Sequence, residues 1–407
     1  MDKQKINQSR RSFIKKGAAS LAGVSMIPLI SKADKEAKII QEKSKSKMII
    51  RTLGKTGIKL PIVSMGSFQY ANLVEIALDL GIVHIDTAAA YQNGNHERML
   101  GEVFKNRPRD SFVIATANNT QSYFDKKTGL LRKGVKTEFL INDFEGSLKR
   151  LGLDYIDIYY LGVLENKTTT LFEPFLKIME KFKKEGKTRF IGVTTHNNEP
   201  EVIRAAVESK VYDVVLTSYN FRQKHKEEVK KAIAYAANAG LGIVAMKTQA
   251  GVYWDKERKN MINMKAALKW VLQNENVHTA IPGFNSYNEI VEGLSVMDNL
   301  TLTPKEKEDL KIGDEMGFSG LYCQQCEKCI SQCKWNFDIP TLMRSYMYAY
   351  GYKNPLKARE TIEQVDFSRI GCNDCSVCTI NCTMGFDVRE KVLDIIRIKD
   401  IPNEFLV

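Results

Sequence analysis

Eight cysteines are the residues of this 407-residue sequence best suited to redox or metal chemistry, and they fall into two groups. Cys323, Cys326, Cys329 and Cys333 read C-x-x-C-x-x-C-x-x-x-C; Cys372, Cys375, Cys378 and Cys382 repeat that pattern at a constant offset of 49. Phe337-Asp338-Ile339 recurs at the same offset as Phe386-Asp387-Val388, so the duplicated unit extends beyond the cysteines. Tight turns between thiolates two residues apart aim three sulfurs at one point, which suits one corner of a cuboidal cluster. The fourth, three residues on, points elsewhere and ligates the partner cluster in two-cluster proteins. The spacing therefore assigns Cys323, Cys326, Cys329 and Cys382 to one 4Fe-4S cluster, and Cys372, Cys375, Cys378 and Cys333 to a second. Disulfide frameworks rarely use two identical triplets. Structural zinc takes separated C-x-x-C pairs, which leaves the third cysteine of each triplet without a role.

The rest of the chain must position whatever these clusters serve. From Ile49 to about Met297, short apolar runs alternate with longer amphipathic segments. The runs are "PIVSMGS", "GIVHIDTA", "SFVIATA", "DYIDIYYL", "TRFIGVT", "VYDVVLTSY", "GIVAM" and "VHTAIPG". Helical patterns such as "EFLINDFEGSLKRLG" and "HKEEVKKAIAYAANAG" stand between them, which predicts an α/β fold of the (β/α)8 TIM-barrel type. No G-x-G-x-x-G follows the first run, against a Rossmann domain. The spacer between the cysteine groups, with "TLMRSYMYAYGYKNPLKARETIEQV", has helical periodicity, and its tyrosines and methionines read as helix core rather than an electron path.

"RTLGKTGIKLPIVSMGS", "GIVHIDTAAAYQNGNHERMLGEVFK", "LKRLGLDYIDIYYL", "RFIGVTTH" and "IPGFNSYNEIVEGL" resemble the successive signatures of the aldo-keto reductases. With the cysteine region, the chain is similar to the branch of that family that carries a 4Fe-4S dicluster. The cysteine region itself resembles a helical two-cluster ferredoxin. Ferredoxins of this pattern usually carry proline after the fourth cysteine, where Lys334 and Thr383 stand here. The resemblance implies carbonyl reduction with NAD(P)H, in which Tyr donates a proton, Lys and Asp tune it, and His orients the carbonyl. The motif Asp86-Thr87-Ala88-Ala89-Ala90-Tyr91 carries over Asp86 and Tyr91. The lysine position holds Ala117, and the histidine position holds Gly162 or a one-residue deletion. Without an ammonium beside it, a phenol keeps a pKa near 10.

Two residues are candidate substitutes: Lys247, ending the seventh strand, and His196, ending the fifth. Lys247 supplies the missing cation or is a rim lysine; His196 is a site residue or a loop histidine. His84, inside a strand, reads as a satisfied core residue. The resemblance places a cofactor phosphate at the turn of Gly283, Asn285 and Ser286, a turn that barrel closure would equally keep. Asn285 stands where many members grip a 2'-phosphate with Arg, and Met246 where many stack an aromatic on the nicotinamide. Tyr253 and Trp254 either stack on a flat or sugar-like substrate or cap the barrel core.

At the N-terminus, Arg10-Arg11 precedes Phe13-Ile14-Lys15, a moderately apolar run from Gly17 to Ile30, and the small-x-small site Ser31-Lys32-Ala33. That order resembles a twin-arginine export signal, and the run falls short of the roughly 20 residues of a permanent span. The route carries folded, cofactor-loaded proteins and implies a periplasmic or other extracytoplasmic location, with only transient membrane contact. Residues 1–33 hold seven of the basic residues and one acidic one, so the net charge of +12 falls to +6 in the remainder. With no basic stripe, nucleic acid is excluded as a partner.

The expectation is therefore a signal over residues 1–33, a barrel over 48–300 and a dicluster domain over 301–407. Soluble nicotinamide pools are cytoplasmic, so an exported enzyme holds NAD(P) tightly or draws electrons through its clusters from an external redox partner. Three readings follow: a cluster-coupled oxidoreductase acting on a small molecule, a decayed barrel serving as a scaffold for an electron-transfer protein, and a rearranged NAD(P)H-dependent carbonyl reductase.

Overall fold

The computed structural model describes residues 48–118, 123–124, 131–254, 259–315, 321–363, 365, 372, 375–402 and 405–406. All of them fall within one compact unit, Ser44–Val407. The twin-arginine stretch lies outside the described residues.

The chain opens with an antiparallel hairpin, β1 (Ile50–Thr52) and β2 (Lys59–Pro61), paired Ile50 to Pro61. Its Leu53, Ile58 and Leu60 pack with Ile158 and Val244 inside the sheet that follows. That sheet is parallel and sequential: β3 (His84–Asp86), β4 (Val113–Ala117), β5 (Ile156–Leu161), β6 (Thr188–Thr195), β7 (Val214–Ser218), β8 (Gly242–Met246) and β9 (Thr279–Ala280). Its two edges meet across one short segment. Val63 bridges to Ala280 and Met65 to Ile85, with the Ser64 amide donating to the Ala280 carbonyl at 2.8 Å and that of Met65 to His84 at 3.0 Å. The seven strands are thus a curled sheet, consistent with a (β/α)8 barrel, and "PIVSMGS" is the run that spans its seam.

The strands are short and buried almost throughout, as parallel strands covered on both faces must be. Helix Glu138–Leu151 shows how the sequence supplies that cover. Leu140, Phe144, Leu148 and Leu151 recur at helical spacing and are buried; Lys149 and Arg150 face the negative end of the helix dipole, and Gly152 (φ 65°) closes it in the left-handed conformation.

The cysteine region builds a second core, in which Phe337, Ile339, Leu342, Met343, Phe386, Val388 and Val392 pack together. The duplication is visible in it. Asp338 caps helix Ile339–Tyr350 by accepting from the Thr341 amide, and Asp387 caps helix Val388–Ile395 by accepting from that of Glu390. Each repeat is thus a cysteine loop followed by an Asp-capped helix.

Candidate active site and cysteine-lined cavities

In a barrel of this kind side chains that end strands gather at the mouth, and here Asp86, Tyr91, His196 and Lys247 line a single cavity with Ala117, Met246, Gly283 and Asn285. The cavity is not open to one side. Helices Ile339–Tyr350 and Pro355–Ile362 of the cysteine region lie across it and contribute Arg344, Tyr348 and Lys357 to its wall. Sequence periodicity identified the first helix without indicating what it covers; Arg344 and Tyr348, four residues apart, were the available sign of a second polar face.

Asp86 is almost fully buried and its Oδ2 has no hydrogen-bond partner among the described residues. Burial pushes its carboxyl well above the ordinary carboxylate range. Ala117 explains this, because the β4 position where the resemblance expects a lysine offers no cation. The position of the expected histidine is filled by backbone instead. A Cβ on Gly162 would stand 2.7 Å from the Asn118 carbonyl oxygen and 3.0 Å from Thr194 Oγ1, while the Gly162 amide donates to Asn118 Oδ1 at 3.2 Å.

Tyr91 follows β3 in a turn whose next residues, Gln92 and Asn93, take left-handed φ of 52° and 51°. The Gln92 amide donates to Glu360 at 2.5 Å, and Lys357, itself paired with Glu360 at 3.3 Å, places its ammonium 3.2 Å from the Tyr91 ring centre. Burial, with Tyr348, Asp86 and Glu360 nearby, pushes the Tyr91 phenol well above 10. Tyr348 goes the other way. Burial alone would raise its phenol, but Lys247, Lys357 and Arg344 together outweigh burial and bring it down to about 8. Lys247 Nζ donates to the Tyr348 hydroxyl and lies 4.5 Å from its ring centre. Lys247 is thus half-buried against this phenol, with no salt bridge among the described residues.

His196 lines the mouth with its Nδ1 unpartnered among the described residues, and burial beside Lys247, Arg344 and Lys357 pushes its imidazole well below 6.5. His84 departs from expectation. It is in the core, but neither ring nitrogen has a hydrogen-bond partner among the described residues, and burial lowers it to about 4. Asp157 is near enough to act on it, but the Asp157 oxygens accept from Arg109, Arg189 and the Ile114 amide instead. Trp254 and Tyr253 are buried: Trp254 packs on Phe221 at 5.6 Å between ring centres, and Tyr253 lines a second cavity with Gln249, Gly283 and Asn285.

The groups expected to hold a dinucleotide phosphate are already occupied. The Asn285 amide donates to Glu289 Oε2 at 2.7 Å, Asn285 Nδ2 to the Tyr352 carbonyl at 3.4 Å, and Ser286 Oγ accepts from the Glu289 amide at 3.3 Å. Ser286 caps helix Tyr287–Leu294, and the Glu289 carboxylate stands among the donors a phosphate would need. Asn285 and Ser286 are thus engaged with Glu289, while Gly283 lines the cavity.

The cysteines surround two cavities. Cys323, Cys326, Cys329 and Cys382 line one, and Cys333, Cys372, Cys375 and Cys378 the other, which is the division expected from the spacing. Among the described residues no three His, Cys, Asp or Glu side chains are grouped closely enough to hold a single metal ion. Four thiols around a hole suit a body several atoms across. Their surroundings fit such a body too: the Gln325 and Met384 amides reach Cys323 and Cys382 Sγ at 3.4 Å, and Trp335 Nε1 reaches Cys375 Sγ at 3.3 Å. Gln325 and Glu327 take left-handed φ of 56° and 59° to make the tight turns. Burial and the crowding thiols push Cys323 up to about 12 and Cys372 to about 11, so a cation is needed to hold them as thiolates. Where proline was expected, the Thr383 hydroxyl lies 3.4 Å from Cys326 Sγ.

The first cysteine loop is seated on the barrel. Gln324 accepts from the Lys224 amide at 3.2 Å and donates to the Arg222 carbonyl at 3.1 Å, and Tyr322 accepts from Asn220 at 3.1 Å. One small cavity is lined by Cys323 together with His196, Lys247 and Arg344.

Residues 67–266 match the model of the Aldo/keto reductase family, which leaves both cysteine groups outside the match. The chain is 25% identical to L-galactose dehydrogenase of Arabidopsis thaliana over 310 residues, covering 65% of this chain and 93% of that one. It is similar in fold to aldo-keto reductase AKR11C1 of Bacillus halodurans in its holo form (TM-score 0.51, 21% identity, 65% and 96% coverage). It is likewise similar to an aldo-keto reductase of Klebsiella pneumoniae solved in complex with NADPH (TM-score 0.50, 22% identity, 65% and 95% coverage).

Proposed function

Because residues 67–266 match the aldo/keto reductase family model, we propose that this chain is an exported oxidoreductase of that family whose barrel mouth is coupled to two 4Fe-4S clusters. The observation that carries this reading is the cavity shared by Cys323 with His196, Lys247 and Arg344, which brings the first cysteine loop against the mouth. Cys323, Cys326, Cys329 and Cys382 would hold one cluster, and Cys333, Cys372, Cys375 and Cys378 the other; bound there, the clusters supply one-electron transfer.

The barrel residues then bind a small molecule and manage its protons. Asp86, buried and without a cation, stays protonated above the usual carboxylate range, and His196 stays neutral, so the positive charge at the mouth comes from Lys247, Arg344 and Lys357. Three cations around one cavity favour a substrate that is anionic or develops negative charge on oxygen. Helices Ile339–Tyr350 and Pro355–Ile362 form part of the cavity wall. An external redox partner and a twin-arginine route complete the reading, the latter resting on the N-terminal motif alone.

The occupied phosphate turn supports electrons arriving through clusters rather than from a diffusible dinucleotide. Protein purified anaerobically from a host competent in cluster assembly tests this. About eight irons per chain and no released nucleotide on denaturation are expected. Stoichiometric NAD or NADP without iron would reverse the assignment and make this a rearranged nicotinamide enzyme.

A further inference from the structure

We infer that Tyr348, held by Lys247, is the residue that exchanges a proton with the substrate oxygen, a task the resemblance would give to Tyr91. This rests on the oxidoreductase reading above and names the residue that would carry its proton.

The chemistry requires a phenol at the mouth with an ammonium on its hydroxyl. Tyr91 has Ala117 where that partner is expected; Lys357 lies over its ring face rather than at the oxygen, and Arg344 acts on it without a hydrogen bond between the two among the described residues. Tyr348 has the partner. Lys247 Nζ donates to its hydroxyl, both residues line the same cavity as Asp86 and Tyr91, and Lys247 takes a left-handed φ of 58° directly after β8. Such backbone costs a non-glycine residue energy and is retained where the side chain must be aimed.

The groups facing Tyr348 are Lys247 after β8, Lys357 from the following helix, Arg344 one turn earlier on its own helix, and the phenols of Tyr91 and Tyr352. Lys247 and Arg344, with Lys357 offset in part by its partner Glu360, favour the phenolate, whose pKa of about 8 leaves both forms available near neutral pH. Reduction of a carbonyl to an alcohol takes two electrons, supplied by the external reductant, and two protons, of which water supplies the one that reaches carbon; the step at Tyr348 is the other proton transfer. The Tyr348 O–H bond breaks, an O–H bond forms on the substrate's alkoxide oxygen, and the phenolate charge rests beside the Lys247 ammonium until water returns the proton. In the oxidative direction the phenolate takes the hydroxyl proton of the alcohol.

The test is a difference titration of tyrosinate absorbance on the cluster-loaded, full-length protein. One phenol ionising near pH 8 is expected in the wild type and in Tyr91→Phe, none in Tyr348→Phe, and a shift to pH 10 or above in Lys247→Met. Lys247→Arg should keep the low transition, which guards against a folding artefact. A pH 8 transition that survives Tyr348→Phe, or that disappears in Tyr91→Phe, overturns the assignment.

Turnover is read separately, with glyceraldehyde as probe and dithionite-reduced methyl viologen as electron source. Tyr348→Phe should lose about 10² to 10⁴ in kcat with KM little changed; an unchanged kcat overturns the role. A wild type that reduces no carbonyl counts against the oxidoreductase reading, and the titration then judges the Tyr348–Lys247 pair alone.

Discussion

The Lys357 ammonium lies 3.2 Å from the centre of the Tyr91 ring, so a side chain from the cysteine region rests on the barrel's signature tyrosine. Lys357 also pairs with Glu360, which accepts from the Gln92 amide. Lys357→Met removes the cation and leaves the Glu360 carboxylate unpaired in a largely buried place. A loss of about 1–2 kcal/mol in urea unfolding is expected, with faster amide exchange in residues 339–362. Unchanged exchange there would mean that the contact does not hold the helices on the mouth.

Cys382 and Cys333 should each complete the other repeat's site. Cys382→Ser is expected to lower the iron content from about eight to about four per chain, and Cys333→Ser to do the same at the other site. Trp335 tells the two apart, since its N–H reaches Cys375. Trp335→Phe removes a hydrogen bond that favours the reduced cluster, so the potential of that cluster should fall. Potentiometry followed by EPR should find the shift in the Cys382→Ser background and not in Cys333→Ser; the opposite pattern would exchange the ligand sets.

His84 makes the fold sensitive to acid. Its folded value of about 4 lies below the ordinary 6.5, so between these pH values the unfolded chain binds a proton that the folded one refuses. Stability therefore falls as pH drops from 6.5 to 4 and levels off below, by about 2 kcal/mol at pH 5. His84→Leu removes the titration and an unpartnered polar ring. Its stability should lie within about 1 kcal/mol of wild type at pH 7.5, and fall about 2 kcal/mol less than wild type between pH 7.5 and 5. Parallel losses in the two proteins would put the acid sensitivity elsewhere.

Gly162 is fixed by its neighbours. Gly162→Ala sets a Cβ 2.7 Å from the Asn118 carbonyl oxygen, which belongs to the adjoining strand end and cannot step aside. A destabilisation of about 1–3 kcal/mol in denaturant unfolding is expected. A neutral outcome would show that this strand end has room for the histidine the family usually carries there.

Much of this was legible in the sequence, and the limit has a physical origin. Alternation of apolar runs with helical patterns located β3 to β9, because a parallel strand buried on both faces leaves an uninterrupted apolar run. The cysteine spacing anticipated which four thiols line each cavity. The same period that marked Ile339–Tyr350 as a helix could not say that its Arg344–Tyr348 face meets Lys247, since that contact joins positions 101 residues apart and depends on how two cores dock. His84 was read as a satisfied core residue because a sequence gives burial without giving partners. The phosphate turn kept its residue types but not their availability: Glu289, a helix-capping residue by spacing, already takes the Asn285 amide.

The crossed division of the cysteines has a consequence for how the mouth is covered. The cavity begun by Cys323 is completed by Cys382, and the cysteine-region residues that line the mouth (Arg344, Tyr348, Tyr352, Asn354, Lys357 and Thr361) lie between the two. Cys323 and Cys382, which line one cavity, therefore bracket in sequence the segment that covers the mouth, so the loop ends that meet at that cavity are also the two ends of the lid.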